Sequence, residues 1–329
     1  MREHILLLAA CLASLALRCA AEDVQSRARA LFAQAHEVTD IRIDGAQPFR
    51  LRATFSFVGE HLEPFQGTYT EVWASRSDWR RETAINDQRR VDVGVSDKRW
   101  ILEPEGFPVR ADSVAALMTV PSLPSDLKFR DVVEREMRGV TAECAESKAR
   151  VSNVPLAYCF EKKTGMLLER VSPLTLPLNV VASSCQYGDF RKFGDHWFPR
   201  QVECFEDRHK VMSVEVVELS AETTVDSTLF AAPKDAIEFG QCLGKRVGPA
   251  APTMPNTLPD FSLYARLTKL WFVVDVKGRA QGVRVVSPSR GDYDETVVNW
   301  VEHWKFSPGK CDGKPIAMEM TMDVPSTHP

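Results

Sequence analysis

The sequence predicts an α+β protein: an antiparallel sheet that lies under helices, followed by a small domain of order ββαβ. Two observations lead to this fold class. Between about residues 50 and 220, apolar and polar residues alternate in many short runs separated by turn signals, which is typical of antiparallel strands. The last 70 or so residues then contain two strand-like runs, one helical run and a final alternating run.

Residues 1–21 have the organisation of a secretory signal peptide. A charged start is followed by the apolar run Ile5 to Leu17 and then by small residues up to Ala21. This run is shorter than the roughly 20 residues that cross a bilayer, so we expect a cleaved signal and a periplasmic or secreted protein. A retained signal and a lipid anchor at Cys11, in the processing-site pattern Leu-Ala-Ala-Cys, stay open as alternatives.

Composition places the chain among ordinary globular proteins. It has 329 residues, of which 44% are hydrophobic and 26% charged, with a net charge of −4. The length favours about two domains. Because no polybasic run is present, we expect no nucleic-acid partner.

Eight cysteines are present, and two of them lie in the signal. An even number in an exported chain predicts disulfides. Cys185 and Cys204 are symmetric about the hairpin signal Gly194-Asp195 and would face each other on paired strands, although two unpaired thiols are the alternative. Proximity then pairs Cys144 with Cys159, and elimination pairs Cys242 with Cys311.

The larger region, residues 22–238, begins with an amphipathic helix over residues 24–38. Alternating strands follow, from Leu51 to about residue 102. The segment Asp112 to Glu136, including DLKFRDVVEREM, has helical periodicity, and strands return from about residue 156 to residue 220.

A Pro-rich linker is predicted at residues 239–260, and the ββαβ domain at residues 261–325. In its helix, Val297, Trp300, Val301 and Trp304 have the spacing of one helical face, so both tryptophans are expected in the core. Asp292 or Asp294 is the expected N-cap.

The succession VVDVKG, VRVVSPS, WKFSPG and CDGKPIAMEMTMDV resembles the TonB carboxyl-terminal domain, over about residues 255–325. The resemblance implies recognition of an extended peptide, such as a segment of an outer-membrane receptor, by strand addition. It places the pairing edge on the last strand, at Ile316, Ala317, Met318, Glu319, Met320, Thr321 and Met322.

Residues 24–238 resemble the periplasmic lipoprotein-carrier (LolA/LolB-type) superfamily. The resemblance is carried by YGDFRKFGDHWFPRQVE and by the closing Leu229-Phe230 with Pro233. It implies an antiparallel half-barrel lidded by helices around an apolar cavity that holds a lipid or acyl ligand. Candidate lining residues are Phe55, Phe57, Trp73, Trp79, Trp100 and Leu117, although packing in the protein core is the alternative for aromatic residues at alternating strand positions.

Catalytic and metal-binding motifs are absent from the sequence, and the histidines are scattered singly. We therefore expect neither an enzyme nor a cofactor or metal. The first hypothesis is an exported binding protein that holds an apolar ligand and docks a partner peptide. The alternatives are an accessory component of TonB-dependent transport that binds receptor peptides, and a structural or sensory protein of the cell envelope.

Overall fold

The computed structural model describes residues 23–59, 63–104, 107–123, 127–151, 154–175, 180–251, 267–287 and 291–325. The predicted signal and residues 252–260 of the predicted linker lie outside these ranges. The described chain is mostly antiparallel strand with few helices. No helix within it is both long and apolar enough to cross a membrane.

The helices are α1 (residues 23–39), α2 (Val109–Asp112), α3 (Val114–Leu117) and α4 (Gly291–His303), with a 3₁₀ turn at Ser227–Phe230. The first strands are β1 (Phe49–Val58), β2 (Pro64–Trp73), β3 (Trp79–Ile85), β4 (Gln88–Val95), β5 (Lys98–Leu102) and β6 (Phe129–Met137). They are followed by β7 (Val140–Val151), β8 (Val154–Glu161), β9 (Leu167–Thr175), β10 (Val180–Phe193), β11 (His196–Glu206) and β12 (His209–Ala221). The last are β13 (Ile237–Gly240), β14 (Arg246–Val247), β15 (Leu267–Val274), β16 (Ala280–Ser287), β17 (Lys310–Cys311), β18 (Lys314–Pro315) and β19 (Met318–Pro325).

The chain forms two compact units, each assembled from two separate segments. The first unit contains the residues up to Ile41 and Ala115–Glu215; the second contains Arg42–Val114 and the residues from Val216 onward. The predicted domains, by contrast, are continuous stretches of the chain, and their boundaries stay predictions. Strand β13 extends into the predicted linker, since it includes Phe239 and Gly240.

In the first unit, strands β11 to β6 pair in sequence order, and the start of β12 pairs with β11. Helix α1 is amphipathic as predicted, because its apolar side, with Ala28 and Ala35, is buried. The ring of Phe32 lies 4.8 Å from that of Tyr158 and 4.9 Å from that of Phe160. Burial of these side chains between helix and sheet stabilises this unit.

Two disulfides link neighbouring strands of the first unit. Cys185 and Cys204 are opposed on β10 and β11, which are joined by the predicted Gly194-Asp195 turn. Cys144 and Cys159 are opposed on β7 and β8. Both are the pairs that the sequence predicts.

Within the segment DLKFRDVVEREM, residues 129–137 form strand β6, so the helical prediction there was wrong. Strand β6 pairs with β7 through a turn at Arg138 and Gly139, whose φ angles of 50° and 82° fit a tight hairpin turn. Val132 is buried, and Val133 packs against the cluster around the Cys144–Cys159 disulfide. Because adjacent apolar residues are both covered, the segment lacks the simple alternation of a one-sided strand.

In the second unit, strands β1 to β5 pair in sequence order and β13 pairs with β5. The predicted ββαβ order also lies in this unit: β15, β16, α4 and β19, with the small strands β17 and β18 before β19. Its core contains Leu270, Phe272, Val297 and Val301. The third disulfide, Cys242–Cys311, is again the predicted pair.

Two details predicted for helix α4 were wrong. Trp300 is 36% exposed, whereas Trp304 is partly buried against the core. Asp292 and Asp294 both lie inside the helix, which begins at Gly291, and the buried Asp294 accepts a hydrogen bond of 2.6 Å from the Thr268 hydroxyl. The acidic residue therefore links helix to sheet and does not cap the helix.

Candidate functional site

Three of the predicted cavity residues lie in the packed interior of the second unit. Phe55, Phe57 and Trp73 are all buried. The Trp73 ring stacks on Phe49 with centroids 5.5 Å apart, and Phe57 stacks on Phe65 at 4.9 Å. Each of the three rings packs on another aromatic ring, so they form core here.

The other predicted residues are dispersed. Trp79 lies between the guanidinium groups of Arg81, 4.4 Å from its ring, and Arg99, at 5.5 Å. Trp100 packs partly buried beside the cluster around Phe230, on the opposite side of the strands. Leu117 is buried in the first unit and precedes Met118, a residue that lines a pocket described below.

The sheet face that carries Trp73 and Trp79 also carries buried charge. The Glu71 carboxylate is fully buried and accepts hydrogen bonds of 3.0 Å from both Arg42 Nε and Arg81 Nε. The Tyr69 hydroxyl donates to the same carboxylate at 3.1 Å. Burial alone would raise the pKa of Glu71, but the two guanidinium groups outweigh it and lower this pKa to about 2.

A second ion-pair group connects this face to the ββαβ region of the same unit. Arg99 donates two hydrogen bonds to Asp92, at 2.6 and 2.7 Å, and one of 2.7 Å to Glu319 on β19. Burial would raise the pKa of Asp92, but the charge of Arg99 lowers it. Beside them, the Arg284 guanidinium lies 3.9 Å from the Trp271 ring centroid. Such an interior is poorly suited to an acyl chain, because a lipid would displace paired charges.

A polar pocket of about 430 Å³ lies next to these ion pairs in the second unit. Its walls include Trp79, Arg99 and Glu319, whose polar groups are already hydrogen-bonded within the protein. Gln241 bonds in turn to the carbonyl oxygens of Ser77 and Ser96. We therefore assign no ligand to it.

The first unit contains a different kind of pocket, which is small and partly open to solvent. It lies at the end of α1, beside the residues that follow α3 and strands β9, β10 and β11. Its lining residues are Thr39, Met118, Thr119, Val120, Leu167, Tyr187, Phe190 and Pro199. None of these described lining residues is charged, and most are apolar. The pocket is narrow, with room for little more than a water molecule.

Tyr187 gives this apolar pocket one unusual polar group. Its side chain is buried on β10, and its hydroxyl has no hydrogen-bond partner among the described residues. Burial raises the pKa of Tyr187 to about 12, so the hydroxyl is neutral at physiological pH. It can therefore donate a hydrogen bond to whatever enters.

Sequence reasoning did not identify this pocket. Tyr187 lies in YGDFRKFGDHWFPRQVE, a stretch that carries the family resemblance but has no pattern typical of a ligand site. Alternation along β10 indicates that Tyr187 points to one face of the sheet, but it cannot show that the hydroxyl lacks a partner.

The predicted pairing strand, β19, lies at the edge of the three-stranded sheet β16-β15-β19. At the beginning of this segment, Gly240 N–H donates to the Ala317 carbonyl at 2.8 Å. Glu319 is held by Arg99, whereas Thr321 and Asp323 are exposed.

Across the described ranges, no group of three or more histidine, cysteine, aspartate or glutamate side chains is arranged to hold a metal ion.

No family model and no curated protein sequence matches this chain. Among solved structures, it is similar to a LolA-superfamily protein from Nitrosomonas europaea: 8% identity, 62% of this chain and 96% of the other, TM-score 0.41. It is similar to a DUF1329-family protein from Desulfovibrio piger at 11% identity, over 62% and 96%, with a TM-score of 0.43. A MucA/MucB complex from Pseudomonas aeruginosa matches at 12% identity over 92% and 94%, with a TM-score of 0.27. All three identities are below 25% and all three TM-scores are below 0.5.

Proposed function

We propose that this chain is an exported, non-enzymatic binding protein that holds an apolar ligand, a lipid or acyl chain, in the first unit. The observation that carries the proposal is the uncharged, mainly apolar pocket between the end of α1, residues 118–120 and strands β9 to β11. Ligand pockets are typically concave and apolar with few polar groups, and this one has that composition.

Apolar burial supplies the driving force. About 25 cal/mol is gained per Å² of apolar surface removed from water. Because the pocket is narrow without a ligand, an acyl chain enters only if residues 118–120 move away from the strands. The closed pocket then keeps its apolar walls out of water when no ligand is bound.

Filling the pocket tests the proposal. Val120→Trp places a large side chain at a half-buried lining position, so it should block the pocket at little cost in stability. We expect at least about tenfold weaker binding of a fluorescent acyl-chain probe, since several apolar contacts are lost. Val217→Trp, at a position that is 47% exposed, is the control and should bind as the wild type does. Equal binding by Val120→Trp and wild type would remove this pocket as the site.

A second candidate function is capture of an extended peptide by the ββαβ region. It is supported by the resemblance to the TonB carboxyl-terminal domain and by the edge position of β19. An exposed edge has main-chain groups available for a further strand. An outer-membrane receptor segment or another envelope protein is the kind of partner that this mode would take.

Proline substitution tests the edge, because proline lacks the N–H that strand pairing uses. In a strand, successive N–H groups point to opposite sides, so Met320→Pro and Thr321→Pro remove groups on different sides of β19. One variant should lose peptide capture with little change in stability, and the other should destabilise the sheet. Undiminished capture of a receptor-derived peptide by both folded variants would rule this edge out.

A further inference from the structure

The Tyr187 hydroxyl is the starting point for an inference about which apolar ligand the pocket takes, and this inference rests on the function proposed above. A buried hydroxyl without a partner is rare in proteins, since it loses its hydrogen bonds to water and gains none in return. Phenylalanine would fill the same space without that loss. Tyr187 lines the pocket proposed to hold the ligand, which offers a reason for its hydroxyl: the partner arrives with the ligand.

The other lining hydroxyls do not compete for this role. Thr39 donates to the Ala35 carbonyl at 2.6 Å, and Thr119 donates to the Ala116 carbonyl at 3.0 Å. Both therefore use their protons within their own chain segments. Among the described lining side chains, Tyr187 is the hydroxyl whose proton remains available.

The lining residues indicate which kind of ligand group could accept the hydrogen bond from Tyr187. The described lining residues include no cation, and Arg170, whose charge acts on Tyr187, lies outside the lining, so no lining side chain would pair directly with a carboxylate. A neutral carbonyl oxygen avoids this cost and accepts readily from a phenol. A bare hydrocarbon chain, by contrast, would leave the hydroxyl unpaired.

We propose that Tyr187 is a specificity-determining residue that donates a hydrogen bond to the carbonyl oxygen of an ester-linked acyl chain. The apolar walls would contact the chain, and the hydroxyl would fix the depth at which its ester group stops. The ligand class is therefore a neutral acyl ester, such as the esterified chains of membrane lipids and lipid-modified proteins.

A matched pair of lipids isolates this contact. The probes are 1-palmitoyl-lysophosphatidylcholine, which has the ester carbonyl, and 1-O-hexadecyl-lysophosphatidylcholine, which has an ether instead. Binding of each, below its micelle concentration, is measured for the purified full-length mature protein. We expect wild type to bind the ester about fivefold more tightly than the ether, as one neutral hydrogen bond allows.

Tyr187→Phe is the test variant, and Tyr158→Phe is its control, because Tyr158 is buried in the same unit but does not line the pocket. We expect Tyr187→Phe to bind ester and ether equally, at the affinity of wild type for the ether. Its Tm should not fall, since the hydroxyl has no partner to lose. Tyr158→Phe should keep the fivefold preference.

The outcomes separate the inference from the function on which it rests. If wild type binds both lipids equally, or if Tyr187→Phe keeps the preference, the role of Tyr187 is overturned while ligand binding stands. If wild type binds neither lipid, both proposals fall. A lower Tm for unliganded Tyr187→Phe would show an internal partner for the hydroxyl and would also contradict the inference.

Discussion

At the scale of single residues, we expect the stability of the second unit to depend on the buried ion pairs of Glu71. Its carboxylate is fully buried between Arg42 and Arg81. Removing one member of a buried ion pair leaves the other charges uncompensated. We expect Glu71→Gln to lower the free energy of unfolding by about 3 kcal/mol, measured by urea denaturation.

Glu218→Gln is the matched control for this substitution. Glu218 pairs with Arg52 at 3.6 Å, and both side chains are largely exposed. Exposed pairs contribute about 0–1 kcal/mol, so the control should differ little from wild type. Similar losses in the two variants would contradict the account of Glu71.

The pKa of Glu71 predicts how stability changes in acid. Its folded-state pKa of about 2 lies below the ordinary value of 4.5, so the stabilisation is present above about pH 4.5 and is lost as pH falls towards 2. The total is on the order of 3 kcal/mol. The difference in unfolding free energy between wild type and Glu71→Gln should therefore shrink between pH 5 and pH 3. A constant difference over that range would show that Glu71 has an ordinary pKa.

The sequence predicted which aromatic residues are buried better than it predicted whether they line a ligand cavity. The aromatic residues at alternating positions, such as Phe55 and Trp73, are buried as expected, and each packs on another aromatic ring: Phe55 on Phe57 and Trp73 on Phe49. Trp300 has the spacing of a core residue and is nevertheless 36% exposed. Spacing identifies a face of an element, whereas the neighbouring elements decide how much of that face is covered.

At the scale of elements, the sequence predicted most strands, helix α1 and the Gly194-Asp195 hairpin. The hairpin was predictable because a two-residue turn determines the register of both strands. Strand β6 was not, because both of its faces carry covered apolar residues at Val132 and Val133. Periodicity over so short a segment does not distinguish a strand from a helix.

The disulfides allow a test at the same scale. Cys242–Cys311 spans 69 residues and Cys185–Cys204 spans 19. In the chain-entropy model, removing the longer link costs about 4 kcal/mol and the shorter about 3 kcal/mol. We expect the double variant Cys242→Ser/Cys311→Ser to lose more unfolding free energy than Cys185→Ser/Cys204→Ser. The reverse order would mean that the hairpin link contributes more than its loop length implies.

At the scale of the whole molecule, each unit is assembled from segments far apart in the chain. Composition and linker signals divide a sequence linearly, so they cannot show which distant strands share a unit. The pocket depends on such distant pairs: Thr39 and Pro199 both line it. This is why the fold class could be predicted from the sequence while the pocket could not.

The central claim, that the first unit holds an acyl ligand, is tested most directly by native mass spectrometry of the mature protein purified from the periplasm without detergent. We predict a heterogeneous added mass that extracts into organic solvent as esterified lipid and that is missing from Val120→Trp. The polypeptide itself should weigh six hydrogens less than its reduced mass, from three disulfides. A clean polypeptide mass for wild type, unchanged after incubation with an acyl ester lipid, would contradict the claim.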